Sequence, residues 1–378
     1  RFSLVTGVQT CALPIYYMGM VFTMIKELQF LLKNSENIDS ALIVSPENRR
    51  YFTEFPSSDE FLLVTRDDAV FITDSRYIEA AENKVTECKT ALQKREISQV
   101  YDFFKSNGAE KVGIEASRMT VSELAKFDNA LKDISIDFSG ELDNMIDALR
   151  MVKSESEIEK IKKAQKIAEG AFDDICGFIK PGVTEKEIAL RLEYYMLTHG
   201  AEGLSFETIA VSGKNTSMPH GVPTDKKIEV GDFVTMDYGA LYDGYHSDMT
   251  RTVAVGKVSD EQKKVYNTVL EAQKAGLDFI RPGVSGKDAD RVSRDIIENA
   301  GYGEYFGHSL GHGVGVEIHE KPNLSPSSEF ILKKGNVVTV EPGIYVPGKF
   351  GVRIEDFAVI TENGAENMTH CPKELIIL

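Results

Sequence analysis

Gly231-Asp-Phe-Val-Thr-Met-Asp237 and Gly335-Asn-Val-Val-Thr-Val-Glu341 are two copies of one pattern: a glycine, an apolar run rich in β-branched residues, and a terminal carboxylate. Upstream, Ile179-Lys-Pro-Gly-Val-Thr-Glu-Lys-Glu187 returns as Ile280-Arg-Pro-Gly-Val-Ser-Gly-Lys-Asp288, with Phe178 matching Phe279 and Gly200 matching Gly301 at the same offset. A period of about 100 residues is too long for a solenoid unit. Two copies instead imply two related halves of one domain, packed about a pseudo-twofold axis.

That symmetry decides which acids belong together. Phe233 to Asp237 reads as a buried strand ending in a carboxylate, Tyr242-Asp243-Gly244 as a turn, and Tyr245 to Arg251 as the returning strand. In the second half Val337 to Glu341 runs out and Val352-Arg-Ile-Glu355 returns. Asp237 is then equivalent to Glu341 and Asp248 to Glu355. A lone Asp at a strand end is ordinarily solvated, but four acids in apolar runs at repeat-equivalent places should converge on the axis. Their mutual repulsion would raise their pKa values and destabilise the site. Two divalent cations about 3.5–4 Å apart would relieve it, each bridging carboxylate serving both ions; Asp248 and Glu355 are the expected bridges.

Of seven histidines, three lie in Gly307-His308-Ser-Leu-Gly-His312-Gly-Val-Gly-Val-Glu-Ile-His319-Glu320. His308 and His312 have the spacing of a helical metal pair, whereas the flanking glycines argue against a helix. Spacing alone leaves that pair undecided. His220, in Met218-Pro-His220-Gly, precedes Asp237 and is a further candidate. His199, His246 and His370 read as structural or exposed, although His246 shares strand parity with Asp248.

The rest of the chain sets bounds. Its 378 residues suffice for two domains. Hydrophobic content of 42% and charged content of 27% are ordinary for a globular protein. The net charge of −16 argues against nucleic acid, which needs a basic face. No apolar run is long enough to span a bilayer. Cys11, Cys88, Cys176 and Cys371 lie far apart without metal or disulfide spacing, which fits a reducing cytoplasm.

Residues 1–15 read as translated adapter or vector sequence joined to a chain that starts at Met18, Met20 or Met24, so 1–23 is set aside as a leader; a signal peptide is the weaker alternative. Residues 24–150 mix short strands (Ser40 to Ser45, Glu60 to Arg66, Ala69 to Thr73, Lys111 to Glu115) with helices, one capped by Asp74 and running through Ala81 and one starting at Thr120. That is an α/β layer arrangement without a cluster of chemistry-bearing residues. From 151 to 378 a second domain begins with a long helix. Ser154 and Glu157 form its capping box, Ile158 to Ile175 follow at helical spacing, and Pro181-Gly182 should end it.

The order Asp237, Asp248, His312, Glu341, Glu355 resembles that of the pita-bread metallopeptidases, which include methionyl aminopeptidase, aminopeptidase P and prolidase. The aspartate spacing, Gly-His312-Gly and Val340-Glu341-Pro342-Gly343 are similar to the family's signatures, and the match covers nearly all of residues 24 to 378. All five ligand positions hold the expected residue types, unlike a metal-free relative such as creatinase. The resemblance implies an α+β pita-bread catalytic domain with an internal pseudo-twofold repeat, behind a smaller α/β, ribonuclease H-like domain of creatinase/prolidase type. It makes His312 a metal ligand and His308 a wall of the substrate pocket. It places His220 and His319 at the scissile peptide, Arg353 beside the last ligand, and Tyr345 near the pocket in the proline-specific branch.

The implied activity is hydrolysis of an N-terminal Xaa–Pro bond by two divalent ions, Mn(II) first, with Co(II), Fe(II) or Zn(II) as substitutes. Glu341 would shuttle the proton, and His220 and His319 would stabilise the oxyanion. The expected substrates are peptides with a free N-terminus and proline second. The expected protein is a cytoplasmic homodimer that engages neither nucleic acid nor membrane. Xaa-Pro dipeptidase, methionyl aminopeptidase and a silent binding module on the same fold are the alternatives, in that order.

Overall fold

A computed structural model of the chain describes residues 23–378 except Asp59 and Arg95; the expected leader and Cys11 lie outside the described residues. The first part is a six-stranded sheet. The strands Ser40–Ile43, Phe61–Thr65 and Ala69–Thr73 pair antiparallel, while Lys89–Leu92, Lys111–Ile114 and Ser135–Asp137 join in parallel. A tight hairpin at Asp67-Asp68 joins the second and third of these strands, closed by Thr65 N donating to Asp68 O at 2.8 Å. Helices cover both faces, so Leu42, Leu63 and Val112 pack on Phe104 and Phe127, while Ala41, Leu62 and Val64 pack on Leu28 and Leu32. One expected helix start shifts. Asp74 caps only a turn, taking Arg76 N at 2.7 Å, and the helix is Ile78–Lys84.

The second part repeats one plan twice: two helices, then a sheet. Glu155–Cys176 and Glu185–Thr198 precede the first sheet; Asp260–Phe279 and Gly286–Asn299 precede the second. Ser154 with Glu157, and Ser259 with Gln262, close reciprocal capping boxes, satisfying amide donors that a helix start leaves orphaned. The first long helix stops at Cys176, before Pro181 can act as breaker, because Gly177 N already turns back to Asp174 O and Ile175 O. Phe172, Ile188, Leu192 and Met196 bury against Val234, Met236 and Val253 of the first sheet. Ile280 and Ala289 do the same against Val338, Val340 and Ala358 of the second. Each helix pair therefore covers one face of its own sheet and leaves the other face to the axis.

The two hairpins are built less simply than the sequence pattern suggests. Phe233–Tyr238 pairs with Met249–Ala254, but a small separate sheet, Ala240–Tyr242 with Tyr245–His246, interrupts the return. Tyr245 to Arg251 is therefore two strands. Likewise Val337–Val340 pairs with Asp356–Ile360, and a hairpin of Gly343–Val346 with Phe350–Arg353 stands between them. The registers also differ. Asp237 faces Thr250, whereas the second ladder ends at Val340 opposite Asp356, one residue short of Glu341 and Glu355.

Among the described residues no helix is long and apolar enough to cross a membrane. Cys88, Cys176 and Cys371 are free.

Candidate metal centre

Four carboxylates and one imidazole meet between the two sheets. Asp237 is the penultimate residue of its strand, while Asp248, Glu341 and Glu355 stand immediately beside strand ends. At that place the backbone has left the ladder but the side chain still points inward. One oxygen or nitrogen each from Asp248, His312 and Glu355 lie within 4.8 Å of one another. His312 Nε2 is 3.5 Å from Asp248 Oδ2 and 3.4 Å from Glu341 Oε1. The imidazole is aimed from behind, since its Nδ1 lies 3.0 Å from Gly313 O, which leaves Nε2 for the acids. His312 sits on the short strand Gly311–Gly313, so the helical pairing that spacing allowed for His308 and His312 is not formed. A side chain at Gly311 would strike Thr339 O, which is why the strand can lie this close.

The electrostatics are those of an unneutralised acid cluster. Burial first, then Glu355, Asp237 and Glu341, hold the Asp248 carboxyl well above its ordinary range. Glu355 is raised by burial and by Glu341 and Asp237. Glu341 is pushed up to about 8, chiefly by burial, with Arg353 pulling the other way. His312 is lowered to about 4 by burial and by His319. It is therefore neutral at physiological pH and free to donate a lone pair. Asp237 Oδ1, Asp248 Oδ1 and Glu355 Oε1 are buried without a hydrogen-bond partner. A buried orphan oxygen is costly, and carboxylate oxygens together with one imidazole nitrogen are the donor types that a hard or borderline divalent cation takes. The residues present fit such ions.

Around this core lie the other expected residues. Arg353 donates to Asp237 Oδ2 at 2.5 Å, Tyr345 Oη at 2.8 Å, Pro219 O at 3.2 Å and Thr250 Oγ1 at 3.1 Å. His308 Nε2 lies 2.9 Å from Tyr345 Oη, and burial lowers its pKa to about 4. His319 packs its ring 4.3 Å from that of His312, and its outer face is exposed, as is His220. His246 is held away by Ser205, His199 stacks on Tyr195, and His370 is exposed. Two supporting hydroxyls escaped the motif reading. Thr339 Oγ1 contacts Glu341 Oε1 at 3.2 Å and takes His312 N at 3.0 Å, and Thr250 Oγ1 donates to Glu355 Oε2 at 2.7 Å. The signal for Thr339 was in the repeat: both copies carry a threonine two residues before the acid, on the same strand face.

Residues 159–362 match the sequence profile of metallopeptidase family M24, and residues 24–152 that of the creatinase/prolidase N-terminal domain. The chain belongs to metallopeptidase family M24. Over 355 residues this M24 chain is 41% identical to the Xaa-Pro dipeptidase of Pyrococcus furiosus, an alignment spanning 93% of this chain and 98% of the relative. The Xaa-Pro dipeptidase from Bacillus anthracis has a solved structure with TM-score 0.90 and 44% identity, covering 94% of this chain and 99% of that one. An X-Pro aminopeptidase from Thermotoga maritima gives TM-score 0.84 and 39% identity, over 90% and 98%. The pita-bread fold that the resemblance implied is the fold of these M24 enzymes, and the chain is a metallopeptidase.

Proposed function

We propose that this enzyme hydrolyses Xaa–Pro bonds with two divalent ions held by Asp237, Asp248, His312, Glu341 and Glu355, Mn(II) being the first candidate. The observation that carries the reading is the meeting of Asp248, Glu355 and a neutral His312 within 4.8 Å of one another, with Asp237 Oδ1, Asp248 Oδ1 and Glu355 Oε1 buried and without hydrogen-bond partners. Bound there, the ions would activate a water and polarise the scissile carbonyl. Glu341, placed at the edge of the cluster with Oε1 3.4 Å from His312 Nε2, would carry the proton toward the departing nitrogen. His319 and His220, on the open side, donate to the carbonyl oxygen as it gains charge. Arg353 keeps Asp237 and Tyr345 in place. His308 and Tyr345 present flat, mutually hydrogen-bonded rings to the residue after the cleaved bond. Proline removes a backbone N–H that would otherwise need a partner there.

On substrate length we place the dipeptidase ahead of the aminopeptidase expected from the sequence. The support is that the relatives at 41% and 44% identity are Xaa-Pro dipeptidases; the X-Pro aminopeptidase from Thermotoga maritima keeps the aminopeptidase as the second reading. Ala-Pro, Ala-Pro-Ala and Ala-Ala-Ala assayed under the same Mn(II) separate the two. The proposal expects Ala-Pro to be cleaved best and Ala-Ala-Ala worst. Faster cleavage of Ala-Pro-Ala reverses the order of the two readings, and equal cleavage of Ala-Ala-Ala removes the proline assignment.

A further inference from the structure

A second cluster of buried charge lies where the N-terminal domain meets the loop that carries His319. Arg150, at the end of the helix Glu141–Met151, places Nη2 2.7 Å from Glu317 Oε2 and 2.7 Å from Glu320 Oε2. Lys153 Nζ reaches Glu320 Oε1 at 2.5 Å, and Arg118 pairs with Glu317. The side chains of Arg150, Lys153 and Glu320 are 3%, 1% and 6% exposed. Burial pushes the Glu320 carboxyl up, but Lys153 and Arg150 outweigh it and hold the group ionised, below its ordinary range. Buried ion pairs of this kind contribute little stability over apolar packing. What they supply here is geometry.

The loop is wrapped around one of these carboxylates. A side chain at Gly315 would strike the Glu320 carboxylate, Glu317 N donates to Glu320 Oε2 at 3.4 Å, and Gly315 N donates to Glu317 O at 3.0 Å. His319 stands between the two gripped acids in sequence. On its other side Arg150 Nη1 donates to Asn48 Oδ1 at 2.8 Å, and Asn48 Nδ2 to Glu115 Oε1 at 2.6 Å. Glu115 in turn accepts Val44 N at 2.6 Å and Ser45 N at 2.9 Å. An unbroken chain of hydrogen bonds thus runs from the N-terminal sheet to the residues flanking His319.

We infer that Arg150 is a positioning residue for the reaction: through Glu317 and Glu320 it orients His319, so the N-terminal domain aims a group of the catalytic site. This rests on the reading of His319 as a donor to the scissile carbonyl.

The test is a double-mutant cycle on the Mn(II)-loaded full chain, measuring kcat and KM for Ala-Pro in Arg150→Lys, His319→Ala and the double variant, with metal content and Tm alongside. Lysine keeps the charge but cannot reach both carboxylates and Asn48. Arg150→Lys should lower kcat roughly tenfold with metal content unchanged, a loss typical of a misplaced catalytic group. In the His319→Ala background the same change should cost less than about twofold, because the two act as one unit. Equal losses in both backgrounds, or no loss in the first, overturn the inference. If Arg150→Lys does not fold, Glu317→Gln, at a half-buried site, must show the same non-additivity. A His319→Ala variant as active as wild type would instead remove the role of His319 itself, an outcome distinct from failure of the positioning.

Discussion

Arg353 Nη2 lies 2.5 Å from Asp237 Oδ2 while Nη1 of the same guanidinium lies 2.8 Å from Tyr345 Oη. One planar fork, 3% exposed, therefore joins an acid of the buried carboxylate cluster to the ring proposed to wall the substrate pocket. A lysine cannot make both bonds. Arg353→Lys is expected to lower kcat/KM for Ala-Pro by about tenfold or more, through loss of alignment and not of charge. Steady-state kinetics with parallel metal analysis check this; unchanged kcat/KM would show that the fork is structural only.

His312 and His308 should separate cleanly. His312 Nε2 faces Asp248 and Glu341, whereas both nitrogens of His308 are engaged by Ser309 O and Tyr345 Oη. His312→Ala is expected to lose metal affinity, and His308→Ala to keep the metal and raise KM. Titration of each variant with Mn(II) decides. Equal metal loss would make both histidines ligands.

The acid cluster gives the metal-free protein an unusual pH dependence. Glu341 titrates at about 8 in the folded chain against 4.5 as an ordinary carboxyl, and Asp248 and Glu355 move the same way. Its contribution to stability is thus fully present below about 4.5 and lost as pH rises through about 8. His308 and His312, lowered to about 4 from 6.5, act oppositely but only below about 6.5. Between about pH 6.5 and 8 the carboxyls alone set the slope, so the Tm of the metal-free protein should fall as pH rises. Mn(II) displaces those protons and should raise Tm most at the upper end. Thermal melts with and without chelator test it; a metal-free Tm that climbs from pH 6.5 to 8 would contradict the assigned cluster.

Much of this was legible in the residues, for physical reasons. Asp237 and Glu341 end equivalent apolar strands, and a strand that buries both faces shows itself as an unbroken run. The capping box at Ser154 marks a helix start because the side chains that satisfy orphan amides are local. The strand registers were not legible. Both returns are interrupted, by Ala240–His246 and by Gly343–Arg353, and pairing across such an insert depends on packing that no local pattern encodes. The Arg150–Glu320 contact was hidden for a similar reason, since it joins residues far apart in sequence across two domains.

Metal bound by the acid cluster is what the proposed hydrolysis depends on. Elemental analysis of the chain, stripped and then reconstituted with Mn(II), should find two ions per chain, with Ala-Pro hydrolysis returning as they bind. Asp248→Asn should lose both together. Near-zero binding by the wild-type chain, or hydrolysis that survives complete removal of metal, would contradict it.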